Sequence, residues 1–368
     1  MKPIIKRYLR LRLLDNNILL FGENSIAKNI QVNDVLTRYV SLLDGERTVS
    51  EIFTILHNEF PEITVKDVEE ATEKFLNENL IEDNNENKPD YLSDEELTRY
   101  DRQLLFFSMF ETPNVDRYTF QKRLKDSKVT ILGGGGVGSH TLLNLACAGV
   151  GEIRIVDFDK VELSNLNRSF IFNESDIGKK KVSSLEKKIK NINPKVNYEF
   201  IDKKISSKQE ILGIINGSDF AVLCADTPYL KINKWFNEAC LEKNIPYSLA
   251  GCSEFHGLVG PITIPYKTSC FECQDYDQKD IFSGSDYIVR ANKRRTAPSF
   301  VPIISTLASL NSLEIIKYLT QIQQPSILNK QIRINFMTME FEKIERPRKK
   351  DCPVCGDKVV KECSVSVR

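Results

Sequence analysis

"KVTILGGGGVGS", Lys128 to Ser139, decides the fold: an apolar run from Val129 to Leu132 meets four consecutive glycines and then residues able to open a helix. A backbone this bare between a strand and a helix lets phosphate oxygens approach the main chain and the helix N-terminus. The pattern Gly133-x-Gly135-Gly136-x-Gly138 also fits a turn selected for close packing alone. The segments around it separate the two readings. "RIVDFD" ends in Asp157 and Asp159, about 20 residues past the glycines, where a carboxylate accepts hydrogen bonds from ribose hydroxyls. A dinucleotide enzyme and an ATP enzyme both remain open at this point.

Outward from the glycines, strand-like and helix-like segments alternate. "EIRIVDFD", "NYEFIDKK" and "FAVLCAD" read as strands, and "GVGSHTLLNLACAG", "KKKVSSLEKKIKNIN" and "ILGIING" as helices. Apolar strands separated by helices are the pattern of an α/β sheet covered on both faces. After "RIVDFD" come Asn165, Asn167, Arg168 and the cluster Lys179, Lys180 and Lys181 at a helix start. Cations beside a helix N-terminus suit a triphosphate better than the diphosphate of a nicotinamide cofactor, although a lysine run is commonly just solvated. Asp226 closes a strand at the end where open sheets bind ligands. There it either holds magnesium or caps a helix.

Four of the nine cysteines form two Cys-x-x-Cys pairs, Cys270 with Cys273 and Cys352 with Cys355. Four thiolates close a tetrahedral zinc site and leave no position for water, so the metal is expected to be structural. The long gap makes it a tie between the tail and a central loop rather than a DNA-reading finger. A redox reading lacks the thioredoxin-like context it needs.

Lys and Arg number 51 and Asp and Glu 51, with 41% hydrophobic residues in 368. That balance gives no electrostatic footprint for nucleic acid, and no apolar run is long enough to cross a bilayer. Neither a secretory signal nor a lipidation motif is present, so a cytoplasmic location with no membrane association is expected.

Residues 1–85 form a separate unit. "YLRLRLL" and "NILLFG" read as strands, and helical spacing runs from Ile30 through Val35, Leu36, Tyr39, Val40 and Leu43. Thr48 with Glu51 and Thr64 with its following acid mark two further helix starts. Together these predict a small winged-helix-like α+β domain. The polar stretch 86–97 is expected to be a linker, and residues 98–368 a second domain. Ser93 with Glu96 opens a helix over "LSDEELTRYDRQLLFFSMF".

From "LSDEELTRYDRQ" through "GGGGVG", "DFDKVELSNLNR", "DIGKKKV", "CADTPYLK", "CFEC", "APSFVPIISTLASLNSLEIIKYL" and "CPVC", the order and spacing resemble the ThiF/MoeB superfamily, which includes the ubiquitin-activating enzymes. The resemblance covers about residues 93 to 360. It implies a Rossmann-like domain that adenylates a C-terminal carboxylate with Mg-ATP. Gly133, Gly135, Gly136 and Gly138 would cradle the nucleotide, Asp157 would bind ribose, and Asn165 and Arg168 would contact the nucleotide. Lys181 would hold phosphate and Asp226 magnesium, while Arg102 of "RYDRQ" would reach the triphosphate from the other subunit of a homodimer.

"LLDGERTVSEI" in the first unit resembles the PqqD-like peptide-recognition domains of natural-product pathways. Their fusion to an adenylating domain is most similar to the microcin C-type peptide nucleotidyltransferases, which act on a short Asn-terminated precursor peptide. The resemblance implies ATP, or another nucleoside triphosphate such as CTP, as donor, and a route through a succinimide to a phosphoramidate. The segment "QDYDQKDIFSGSDYIVRANKRRTAPSF" holds no cysteine, so the chemistry is expected to stop at nucleotide transfer rather than pass to Cys252 or Cys363. Two alternatives stand beside this reading: an activating enzyme for a ubiquitin-like sulfur carrier ending in Gly-Gly, and a non-catalytic peptide-presenting scaffold.

Overall fold

Three capping boxes set helix starts in the N-terminal part of the chain. Thr48 accepts from the Glu51 amide while Glu51 returns to the Thr48 backbone, and Thr64 with Asp67 and Ser93 with Glu96 repeat the exchange. Each box satisfies two backbone donors that a helix N-terminus leaves unpaired. The computed structural model describes residues 1–14, 18–22, 27–85, 88–112, 114–274 and 298–357. The chain divides into two compact units, Met1–Phe120 and Gln121–Arg368.

The first unit runs β1 (Pro3–Ile5), β2 (Leu11–Leu14), β3 (Ile18–Phe21), β4 (Lys28–Gln31), α1 (Asp34–Ser41), α2 (Val49–Glu59), α3 (Val65–Asn77), β5 (Ile81–Asp83), α4 (Asp94–Arg99) and α5 (Asp101–Phe107); α6 (Arg117–Asp126) spans the division. Strands β2, β3 and β4 form an antiparallel sheet in that order, and β1 pairs with β5. The core gathers Phe21, Tyr39, Ile52, Leu56, Val68 and Phe75. Phe75 meets Phe21 and Tyr39 edge-on at 5.7 and 5.6 Å, the arrangement that ring quadrupoles favour.

The helical spacing read from Ile30 begins later than expected. Ile30 lies in β4, and Asn33 caps α1 by accepting from the Leu36 amide at 2.8 Å. The long helix expected after Ser93 is two helices, α4 and α5, meeting at Tyr100.

The second unit continues with β6 (Lys128–Leu132), α7 (Gly136–Ala148), β7 (Glu152–Val156), α8 (Lys181–Ile192), β8 (Asn197–Ile201), α9 (Lys208–Ile214), β9 (Phe220–Leu223), α10 (Lys231–Glu242), β10 (Tyr247–Ser253), β11 (His256–Val259), α11 (Val301–Thr320), β12 (Lys330–Asn335) and β13 (Glu340–Glu345). Among the described residues its sheet has eight strands in the order β13-β12-β11-β10-β9-β6-β7-β8. Strands β8, β7, β6, β9 and β10 are parallel, as the alternation predicts, and β11 to β13 extend them antiparallel. Val129, Ile131 and Leu132 of β6 and all four residues of β9 are buried, each large side chain contributing about 1.5–3 kcal/mol.

The chain leaves β6 for β7 and β8 on one side, then returns to β9 on the other. The crevice outside the carboxyl ends of β6 and β9 is therefore the topological switch point, where open α/β sheets bind ligands. Leu132, Val156 and Leu223 stand level across the three strands, so the loops that follow open at the same height.

Within the first unit a buried ionic network ties residues 101–117 to the β1–β5 pair. Glu111 accepts Lys6 on one oxygen and Arg117 on both, Nε at 2.7 Å and Nη2 at 3.1 Å, and Arg117 also reaches Glu82. Burial pushes the Glu111 carboxyl up, but hydrogen bonds from Arg117 and Lys6 outweigh it and hold its pKa below the ordinary carboxylate value. Glu111→Ala leaves the buried Lys6 ammonium without its carboxylate and Arg117 with Glu82 alone, and should lower stability at pH 7 by about 3–5 kcal/mol in urea unfolding. Because the folded-state pKa lies below the unfolded one, this contribution is present above the ordinary carboxylate range and is lost as pH falls through the folded value. The gap between wild type and variant should close in acid, and a gap at pH 7 under about 1 kcal/mol would contradict the assignment.

Candidate functional site

Two glycines make the turn from β6 into α7 possible. Gly133 has φ +100, and a Cβ there would lie 2.7 Å from the Ala225 amide nitrogen; a Cβ on Gly138 would lie 1.8 Å from the Gly133 carbonyl oxygen. The first contact presses the turn against the end of β9, and the second presses the first turn of α7 against β6. Gly136 fits beneath Ile304 of α11 and the Arg168 carbonyl, with a Cβ position 3.0 and 3.1 Å from them. By contrast, among the described residues nothing lies within 4 Å of a Cβ built on Gly135. Gly135 is also the N-cap of α7, and no side chain caps that helix. An open backbone and uncapped helical donors suit an anion such as phosphate.

Asp157 braces this loop from β7. One carboxylate oxygen accepts the Gly134 amide at 2.7 Å and the other accepts the Asp159 amide at 2.8 Å. Each oxygen keeps a further lone pair for a ribose hydroxyl. Lys181 begins α8 and is nearly buried, with its ammonium 2.8 Å from Asp159; any phosphate it meets shares it with that carboxylate. Asn165 is buried and its oxygen accepts the Glu162 amide at 3.1 Å, so of its side chain the amide nitrogen remains the group that can donate to a ligand. Arg168 is held by the Ser164 carbonyl, and the adjoining Asn167 carbonyl accepts the Val301 amide at 2.9 Å, tying this loop to α11. Asp226 is exposed at the end of β9 and accepts from Thr227 Oγ1 at 3.1 Å.

The structure thus gathers the four glycines, Asp157, Lys181, Arg168 and Asp226 at the carboxyl ends of β6, β7 and β9 and on the elements that follow them. Arg102 belongs to the first unit, on α5, with its side chain 88% exposed and Asp101 3.8 Å away. Two contributors escape the sequence reading. Ile304 packs on Gly136 from more than 160 residues away, and Ser169 bonds Ser139 between hydroxyls at 2.8 Å; neither contact follows from a local sequence pattern. Cys224 lies against Gly138, and burial pushes its thiol up to about 12, so it remains protonated and unreactive near neutral pH. Cys252 is half-buried and its thiol is likewise raised by burial, while Cys363 and most of the cysteine-free segment after Gln274 lie outside the described residues.

The two Cys-x-x-Cys pairs converge. All four sulfurs are buried and lie within 4.8 Å of one another. Cys270 is 3.8 Å from Cys273 and 3.7 Å from Cys352, and Cys273 is 3.4 Å from Cys355. These spacings are far from a disulfide bond of about 2.05 Å. They approach the edge of about 3.8 Å that follows from a tetrahedron with zinc–sulfur distances of about 2.3 Å. The Lys349 amide points at Cys273 Sγ at 3.5 Å, which helps a thiolate there. The Cys273 pKa is lowered, first by its bond from Cys270 and then by Cys355. The donor set fits a closed structural zinc site.

The sequence profile of the ThiF family matches residues 100–354. The molybdopterin-synthase adenylyltransferase of Salmonella typhimurium is 27% identical over 265 residues, 72% of this chain and 98% of that protein. Among solved structures, E. coli MccB with ATP superposes with a TM-score of 0.77 at 26% identity, covering 97% of this chain and 100% of that one. The microcin C7 biosynthetic enzyme MccB in complex with N-formylated MccA gives a TM-score of 0.78 at 25% identity over the same shares.

Two outcomes are expected. Asp157→Ala removes one charge-assisted bond from the Gly134 amide of the glycine turn and one from the Asp159 amide, and should weaken ATP binding about 10- to 100-fold in calorimetry; an unchanged Kd would contradict the brace. Cys352→Ser should abolish stoichiometric zinc by elemental analysis and lower the thermal midpoint by more than about 5 °C, whereas retained zinc would remove Cys352 from the ligand set.

Proposed function

The chain belongs to the ThiF family, and from that premise we propose that it is an ATP-dependent nucleotidyltransferase that adenylates the C-terminus of a short ribosomally made peptide ending in Asn, with release of pyrophosphate. The carrying observation is the extent of the likeness. The family profile begins only at residue 100, whereas the likeness to MccB takes in nearly the whole chain and therefore the first unit as well. The family profile by itself does not distinguish a protein carrier from a peptide, so this reading assigns the choice of a peptide to the added unit.

The first unit has a cavity of about 350 Å³ where β4, α1, α2 and α3 converge, with Val32, Leu36, Tyr39, Leu56, Val68 and Ala71 in its walls. Strand β4 is an edge of its sheet. A precursor peptide adds beside β4 through main-chain hydrogen bonds, and its alternate apolar side chains enter the cavity.

An α-carboxylate, with an intrinsic pKa of about 3.3 to 3.7, is already ionised near neutral pH, so its attack on the α-phosphorus needs no general base. Positioning and charge neutralisation carry the step. The amides at the start of α7 receive phosphate oxygens, Asp157 takes the ribose, and Asn165 donates to the nucleotide. Arg168, Lys181 and the partner subunit's Arg102 oppose the charge that grows on pyrophosphate. Magnesium, with Asp226 as an oxygen ligand, adds further neutralisation of the triphosphate when bound. The peptide's Asn side-chain nitrogen then displaces the nucleoside monophosphate from the activated carbonyl with loss of a proton, giving a succinimide; its N–H nitrogen attacks the α-phosphorus of a second triphosphate, loses its proton and expels pyrophosphate, forming a phosphoramidate. Zinc stays structural and takes no part in these steps.

Pyrophosphate exchange tests the reading. Exchange is expected with short Asn-ended peptides and not with a ubiquitin-like carrier ending in Gly-Gly; the reverse preference would establish carrier activation instead. Arg102→Ala and Asp226→Ala should each slow turnover by about a hundredfold or more, and full activity in both would remove these roles.

A further inference from the structure

Helix α5 holds Arg102 in its first turn, and its C-cap, Ser108, begins a short 3-10 turn, Ser108–Phe110, that leads the chain out of the helix. Two side chains from distant parts of the first unit close on the Ser108 carbonyl: Lys6 Nζ donates to it at 3.2 Å and Asn79 Nδ2 at 3.1 Å. Lys6 is 3% exposed and also donates to Asn79 Oδ1 and Glu111. This buried ammonium therefore has all three of its donors engaged. Asn79 follows α3 with φ 59, a left-handed conformation that Asn tolerates better than most residues. The same helix α3 supplies Val68 and Ala71 to the cavity wall. One turn of chain past α3 thus connects the wall of the peptide cavity to the end of the helix that bears Arg102.

We propose that Asn79 and Lys6 are positioning residues for nucleotide transfer: through the Ser108 carbonyl they fix α5, and with it Arg102, relative to the peptide cavity. The inference rests on the role given to Arg102 above. That reading gives neither side chain a part in holding substrate, so their loss should reach the reaction only through Arg102.

A double-mutant cycle in the full-length enzyme separates this from a plain contribution to folding. Asn79→Gly keeps the left-handed backbone accessible and deletes only the side chain. It should lower kcat about tenfold with an Asn-ended peptide and ATP while leaving the peptide KM within about twofold. In an Arg102→Ala background the same substitution should change kcat less than about twofold, because the group it positions is gone. Equal, multiplying losses in the two backgrounds would overturn the proposal, as would a raised KM at constant kcat. If Arg102→Ala is fully active, the joint and the arginine's role fall together, yet peptide-dependent exchange by the wild type would keep the proposed function standing. Asn79→Asp, which keeps the acceptor for Lys6 but replaces the amide donor, serves the same cycle should the glycine variant not fold.

Discussion

The site in the second unit depends on the turn in which Gly138 stands against the Gly133 carbonyl, where a single Cβ would intrude to 1.8 Å. That contact draws the start of α7 over the end of β6, and Gly133 draws the same turn against β9. It fixes the helix N-terminus at the switch point of the sheet, so the uncapped amides of α7, the carboxylate after β7 and the carboxylate after β9 share one edge. A methyl group at either glycine would separate the elements whose proximity makes the site.

The zinc-type cluster acts at a different scale. It joins a loop at Cys270–Cys273 to a tail 82 residues later, and its immediate support is polar and buried. The Phe271 amide donates to the Tyr247 hydroxyl at 3.0 Å, and Tyr247 donates to Asn237 at 2.6 Å. Strand β10 and helix α10 are therefore held to the same corner. A cross-link that closes a long loop limits the unfolded chain more than the folded one, which suits a sheet whose outer strand β13 is exposed along most of its length.

Much of this arrangement is legible in the sequence. Gly133 to Gly138, Asp157, Lys181, the capping boxes at Thr48, Thr64 and Ser93, and the two cysteine pairs each rest on local rules: a bare turn, a strand-end acid, a reciprocal cap, a ligand spacing. The antiparallel strands β11 to β13 are not legible, because "EFEKIE" alternates charge with only one aromatic and is pinned by cross-strand pairs such as Arg333 with Glu342. Nor is the support of Gly136 by Ile304, or the double use of Ser108 by Lys6 and Asn79, since such long-range contacts have no local pattern. Asp157 and Lys181 also carry structural duties, in the glycine turn and with Asp159, that a motif does not convey.

The central claim, transfer of a nucleotide to a peptide terminus, is tested most directly by intact-mass spectrometry of an Asn-terminated peptide incubated with the enzyme and each of the four nucleoside triphosphates in turn. The account predicts a product heavier by one nucleoside monophosphate, with the group located at the C-terminal residue by fragmentation. Unmodified peptide with every triphosphate, alongside efficient adenylation of a Gly-Gly-ended carrier, would contradict it.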